Sequence, residues 1–278
     1  MTAFMLTAVL LLGFAPFIST YAADGSHYQW DSSSENISYV DLSTYFGEYK
    51  GSFVLYDLEN DAWSIHDMEH ATLRVAPNST YKIYDALFGL EESVITPENS
   101  FIAWNGETYP FEAWNADQTL QSAINSSVNW YFQAVDEQLG ASDVYSYVQE
   151  IGYGNENMSG DFSSYWMESS LEISPIEQVE LLTKLQTNSL GFAPENICTV
   201  KDAICLSSSD AGTFYGKTGT GRVNGQYVNG WFIGYIETAD NTYFFATNIS
   251  ADSDATGGNA TEITMSILSD MNIWVSQK

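Results

Sequence analysis

A serine three residues ahead of a lysine, Ser79-Thr80-Tyr81-Lys82, and a distant Lys217-Thr218-Gly219 triplet have the residue types for acyl transfer through a serine. The chain has six lysines and two arginines against 36 carboxylates, so two motifs built around such scarce cations point to chemistry. On the first turn of a helix, a spacing of three puts the Ser79 hydroxyl and the Lys82 amine on one face. There the amine can take the hydroxyl proton. The helix N-terminus favours the negative charge that develops at the serine and its acylated carbonyl. Lys217 and Thr218, late in an expected strand, would supply donors for an anionic ligand, and Gly219 would let that ligand approach the backbone closely. Ser127-Val128-Asn129 adds a hydroxyl on an expected long helix, able to relay a proton between nucleophile and leaving group.

The elements that must position these residues follow from periodicity. Residues 51–58 and 62–66 read as strands around the turn Glu59-Asn60-Asp61. Pro77-Asn78 precedes an apolar-periodic run at 79–90, the signature of a helix start. Residues 117–139 keep helical periodicity through Leu120, Ile124, Val128, Tyr131, Phe132 and Val135. Further helices are expected at 175–185, 196–206 and 259–274. Aromatic and β-branched runs at 213–218, 227–237 and 242–248, separated by Gly/Asn turns, read as three antiparallel strands. Strands at both ends with helices between predict an α+β fold, an antiparallel sheet flanked by helices with an inserted helical region.

A net charge of −28 argues against nucleic acid and anionic lipid as partners. It also means that an anionic ligand must find local cations, which singles out Lys82, Lys217 and Arg222. Cys198 and Cys205 would lie roughly 10 Å apart on a continuous helix, too far to pair, so free thiols are expected. Residues 1–23 form a nearly uncharged apolar segment without a basic start, readable as a signal peptide or a transmembrane anchor. Residues 24–45 read as a polar linker, and residues 46–278 as the functional domain. His66-Asp-Met-Glu69-His70 matches an inverted zinc-protease pattern. His66 ends a strand before a turn, however, so no metal site is expected there.

Taken in order, Pro77-Asn78-Ser79-Thr80-Tyr81-Lys82, Ser127-Val128-Asn129, Tyr153-Gly154-Asn155, Trp166-Met167-Glu168 and Tyr215-Gly216-Lys217-Thr218-Gly219-Thr220-Gly221 resemble the class D β-lactamase and penicillin-binding superfamily. The similarity covers residues 45–275 and is greatest to the extracellular sensor domains of BlaR/MecR-type β-lactam receptors. The resemblance implies that Ser79 is the nucleophile acylated by a β-lactam, and that Lys82 is the general base, with an N-carboxylated form as an option in a pocket shaped by Trp166. It implies that Ser127 passes the proton to the β-lactam nitrogen and that Lys217, Thr218 and Thr220 bind the ligand carboxylate. The backbone N–H groups of Ser79 and Thr220 would form the oxyanion hole. Asn129 stands where the hydrolytic enzymes usually carry valine, and its amide can engage the Lys82 amine and disfavour carboxylation. No arginine or lysine occurs at 223–277, where many of those enzymes place a carboxylate-binding arginine.

A β-lactam sensor slow to deacylate is therefore the expected function, with a class D β-lactamase and a peptidoglycan transpeptidase as alternatives. No cofactor is implied beyond the CO2 of a carboxylated lysine. The chain has no metalloprotease motif of the kind such receptors carry, so signalling would need a missing part or a partner such as a membrane-embedded signalling protein. The expected location is the extracellular face of the membrane, or outside the cell if 1–23 is cleaved.

Overall fold

The computed structural model describes residues 26–275. Its sheet has seven strands, β1 (Asn36–Tyr39), β2 (Lys50–Asp57), β3 (Ala62–His66), β4 (Cys205–Ser209), β5 (Gly212–Val223), β6 (Gln226–Glu237) and β7 (Thr242–Ser250). They are ordered β1-β3-β2-β7-β6-β5-β4, and every pairing is antiparallel except β1 with β3. The chain's early and late strands meet where β2 pairs with β7, from Lys50↔Ser250 to Asp57↔Tyr243.

Among the described residues the helices are α1 (Ser43–Phe46), α2 (Met68–Thr72), α3 (Lys82–Glu91), α4 (Leu120–Asn125), α5 (Asn129–Leu139), α6 (Ala141–Ile151), α7 (Pro175–Gln186), α8 (Pro194–Ala203) and α9 (Gly257–Asp270). Strand periodicity sorts the core into two layers, because alternate residues point to opposite faces. Phe53, Leu55, Phe232, Ile236 and Phe245 pack with Ile263, Ile267 and Leu268 of α9. Val54, Ile233 and Ala246 face the other way, onto the larger cluster that holds α7 and the inserted helices.

The expected α+β architecture is present, with local differences that have physical causes. Ser79 does not begin an α-helix. It sits in a 3-10 turn, Asn78–Thr80, and α3 starts at Lys82. The helix expected over 117–139 is two helices. Thr119 starts α4 with a capping box, and Ser127, at φ 51°, turns the chain before α5. Ser127 therefore lies in a break, not on a helix. The helix expected to reach 206 stops at Ala203, and Cys205 opens β4; both cysteines are free. The segment read as a linker contains β1 and the start of α1, and Trp30 meets Trp63 edge-on at 5.0 Å. Its polar composition hid an edge strand whose exposed face needs no apolar residues. Among the described residues no helix is long and apolar enough to cross a membrane, and residues 1–23 lie outside them.

Candidate active site

The turn that carries Ser79 is held on all sides. Asn78, at φ 51°, donates its backbone N–H to Trp166 O at 2.9 Å and its side-chain amide to Glu168 Oε1 at 2.8 Å. Thr80 donates to Pro77 O at 2.8 Å and accepts from Gln178 Nε2 at 2.8 Å. Glu168 also accepts from Asn229 on β6, so one carboxylate ties the turn to the sheet.

Two residues beyond the turn's end, Lys82 is fully buried. Its Nζ lies 2.8 Å from Ser79 Oγ and donates to the Ser127 carbonyl at 2.9 Å and to Asn129 Oδ1 at 2.5 Å. Burial first, and then the Lys217 charge, hold this amine well below the usual lysine range, with Asp85 pulling the other way. A lysine lowered in this way is a base able to deprotonate a serine. A second pair lies beside it, since Lys217 Nζ donates to Ser127 Oγ at 2.5 Å and to Thr218 O at 3.0 Å. Burial pushes Lys217 down to about 7.

The break between α4 and α5 explains how Ser127 reaches both lysines. Trp114 Nε1 donates to the Ser126 carbonyl at 2.8 Å and Lys82 donates to that of Ser127, so the carbonyls of the break just past α4 are satisfied. Asn129 opens α5, and its amide nitrogen contacts Met167 Sδ at 3.0 Å.

Trp166 forms an apolar wall, its ring centroid 4.9 Å from Lys82 Nζ, with Phe132 at 5.6 Å. The buried Trp166 indole N–H has no hydrogen-bond partner among the described residues. An N-carboxylated Lys82 would bring an acceptor to it, so this wall fits that group. Asn129 Oδ1 competes by accepting from the unmodified amine.

Ser79, Ser127, Asn129, Trp166, Thr218 and Thr220 line one cleft of about 760 Å³. Thr220 Oγ1 accepts the Gly257 N–H at 2.9 Å, tying the end of β5 to the start of α9. Gly219 differs from expectation. A Cβ there would meet Pro77 O at 2.9 Å and Thr80 Cγ2 at 3.3 Å, so its bareness admits the Ser79 turn against β5 and not a ligand.

Arg222 reaches the cleft and lies over the Tyr227 ring at 5.7 Å, the one arginine on its walls. Phe111, Trp114, Met167, Glu168 and Tyr227, none of them expected as site residues, also line the cleft. Only the Trp166-Met167-Glu168 motif offered a signal for any of them. The histidine decoy is occupied locally. His66 Nδ1 lies 3.2 Å from Val40 O, and His70 pairs with Asp67 at 2.8 Å.

A buried amine on a serine hydroxyl, a second lysine–serine pair alongside and an open cleft define the class of protein, one built to form a serine ester. The model of the penicillin binding protein transpeptidase domain matches residues 51–269, and the chain belongs to that family. Regulatory protein BlaR1 of Bacillus licheniformis is 45% identical over 243 residues, which cover 87% of this chain and 40% of that protein. The chain thus spans less than half the length of this relative. The C-terminal domain of the Bacillus licheniformis BlaR penicillin-receptor superposes with a TM-score of 0.84 at 44% identity, covering 87% of this chain and 99% of that one. Class D β-lactamase BAT-2 superposes at 0.80 with 35% identity, covering 85% and 98%. The resemblance to the penicillin-receptor and class D branch, read from the motifs, is therefore shown across the fold.

Proposed function

We propose that this domain binds β-lactams by covalent acylation of Ser79 and holds the adduct, serving as a sensor of these antibiotics. Ser79 Oγ attacks the lactam carbonyl while its proton passes to the Lys82 amine. The backbone N–H groups of Ser79 and Thr220 receive the oxyanion. The C–N bond then breaks, and the proton moves from Lys82 through Ser127 to the departing nitrogen, leaving a serine ester and an amine. Lys217, Thr218 and Thr220 take the ligand carboxylate, and Arg222 adds a cation at the mouth of a cleft in a strongly acidic chain.

Slow release rests on one observation, the 2.5 Å hydrogen bond from Lys82 Nζ to Asn129 Oδ1. An amine held there resists addition of CO2, and without a carbamate the ester lacks a base aimed at water. The second reading, a hydrolytic class D β-lactamase, is favoured by the unpaired Trp166 N–H, which suits a carboxylated Lys82. In the sensor reading the domain 46–278 faces the outside of the cell, held at the membrane or released according to the fate of 1–23. A membrane-embedded protein would then transmit the adduct's presence.

Peptide mapping after benzylpenicillin tests the assignment. The acyl group should sit on Ser79, and Ser79→Ala should take up no label while melting within about 1 kcal/mol of the parent, as is usual for a change that removes no packed group. Label on another residue, or on the mutant, overturns it.

A further inference from the structure

Behind the cleft, α3 and α5 bring together two carboxyl groups that the acylation steps above do not use. Asp85 lies one turn beyond Lys82 on α3, and Asp136 is on α5; they are 0% and 1% exposed. Tyr165 donates to Asp136 Oδ2 at 3.1 Å, and its hydroxyl lies 2.8 Å from that of Tyr81. Both oxygens of Asp85 and Oδ1 of Asp136 are buried with no donor among the described residues. Two bare carboxylates side by side in such a setting would be strongly unfavourable, and one proton held between them would relieve the repulsion while leaving a single Asp85 oxygen without a donor. Burial pushes both carboxyls above the usual range; for Asp85 the charge of Asp136 adds to this, and Lys82 opposes it. The titratable groups facing the pair are Lys82 on α3, Tyr131 on α5, and Tyr81 and Tyr165.

We propose that Asp85 is a positioning residue for the Lys82 amine. The proton it shares with Asp136 decides how much negative charge faces that amine, and therefore the pH above which Lys82 accepts the Ser79 proton. With the proton on Asp85 the amine has no counter-charge and stays neutral. When Lys82 takes the Ser79 proton, the shared proton shifts from Asp85 to Asp136, and a carboxylate then faces the new ammonium. No proton enters or leaves the pair, and when Lys82 passes its proton on through Ser127 the shared proton returns.

This inference rests on the acylation reading, and its test separates the two. Acylation by benzylpenicillin is followed against pH in the wild type, in Asp85→Asn and in Asp136→Asn. Asp85→Asn removes the carboxylate that would face Lys82 once the amine is protonated, so the acidic limb of the profile should move to lower pH, by about one pH unit for a charge at this range. Asp136→Asn removes the competing charge and gives Asp85 an amide donor. Asp85 then ionises more readily, and the limb should move to higher pH. A purely structural pair would slow both variants without opposite shifts. Limbs that stay put or move together overturn the inference. Infrared spectroscopy of the wild type gives a readout that needs neither variant nor acylation, a protonated-carboxyl band persisting at neutral pH. Absence of that band overturns the shared proton. Absence of any acylation with the band present overturns the acylation reading instead.

Discussion

The shortest of the three hydrogen bonds made by Lys82 Nζ runs to Asn129 Oδ1, at 2.5 Å, against 2.8 Å to Ser79 Oγ and 2.9 Å to the Ser127 carbonyl. On the proposed acylation, the amine is thus shared between the hydroxyl it would deprotonate and an amide that would keep it from reacting with CO2. Asn129→Val keeps the side chain's bulk and removes the acceptor. With bicarbonate present, the benzylpenicillin adduct of this variant should be lost at least about 10-fold faster, a modest share of the ~10²–10⁴ that a positioned base contributes. Mass spectrometry of the adduct over time reads this directly, and an unchanged lifetime removes Asn129 from the account.

With Lys217 in its proposed role on the ligand carboxylate, the binding step should have its own pH dependence. Burial pushes its amine down to about 7, so above that pH the empty site holds a largely neutral lysine. A ligand carboxylate favours the charged form, so binding takes up a proton and weakens as pH rises through 7. Lys82 works in the opposite sense, since its neutral form is the base. Stopped-flow acylation should therefore show affinity falling with pH while the acylation step itself does not fall. Lys217→Arg, which stays charged, should lose the affinity trend. A trend that survives this substitution belongs to another group.

Gly219 tests how closely β5 must approach the serine. A methyl group there meets the Pro77 carbonyl at 2.9 Å, Thr80 Cγ2 at 3.3 Å and Trp231 Cβ at 3.3 Å, so atoms on both sides would have to move. Gly219→Ala should cost about 1–3 kcal/mol in urea unfolding and slow acylation, because the displaced turn carries Ser79. Wild-type stability with wild-type acylation would mean the turn yields freely.

Much of this was legible in the sequence because the chemistry is carried by short motifs. Ser79 and Lys82 are three positions apart, and Lys217 and Thr218 occupy a strand whose aromatic and β-branched neighbours declare it. What the sequence hid lies where backbone conformation overrides periodicity. Ser127 falls on a helical repeat, since Ile124, Val128 and Tyr131 keep the spacing, yet its φ of 51° breaks the helix and turns its carbonyl to Lys82. Gly219 suggested ligand access, but only the register of β5 against the turn at Pro77 reveals its neighbour. Asp85 and Asp136 are 51 residues apart and look like ordinary helix-surface acids until α3 packs on α5.

The central claim is that Ser79 is acylated and the ester persists. Intact-mass spectrometry of the purified protein after one addition of benzylpenicillin, followed over hours, tests it most directly. A stoichiometric mass increase of one ring-opened penicillin that outlasts the free drug is the predicted result. A transient increase with hydrolysed penicillin accumulating would contradict it, and would make this domain a working β-lactamase.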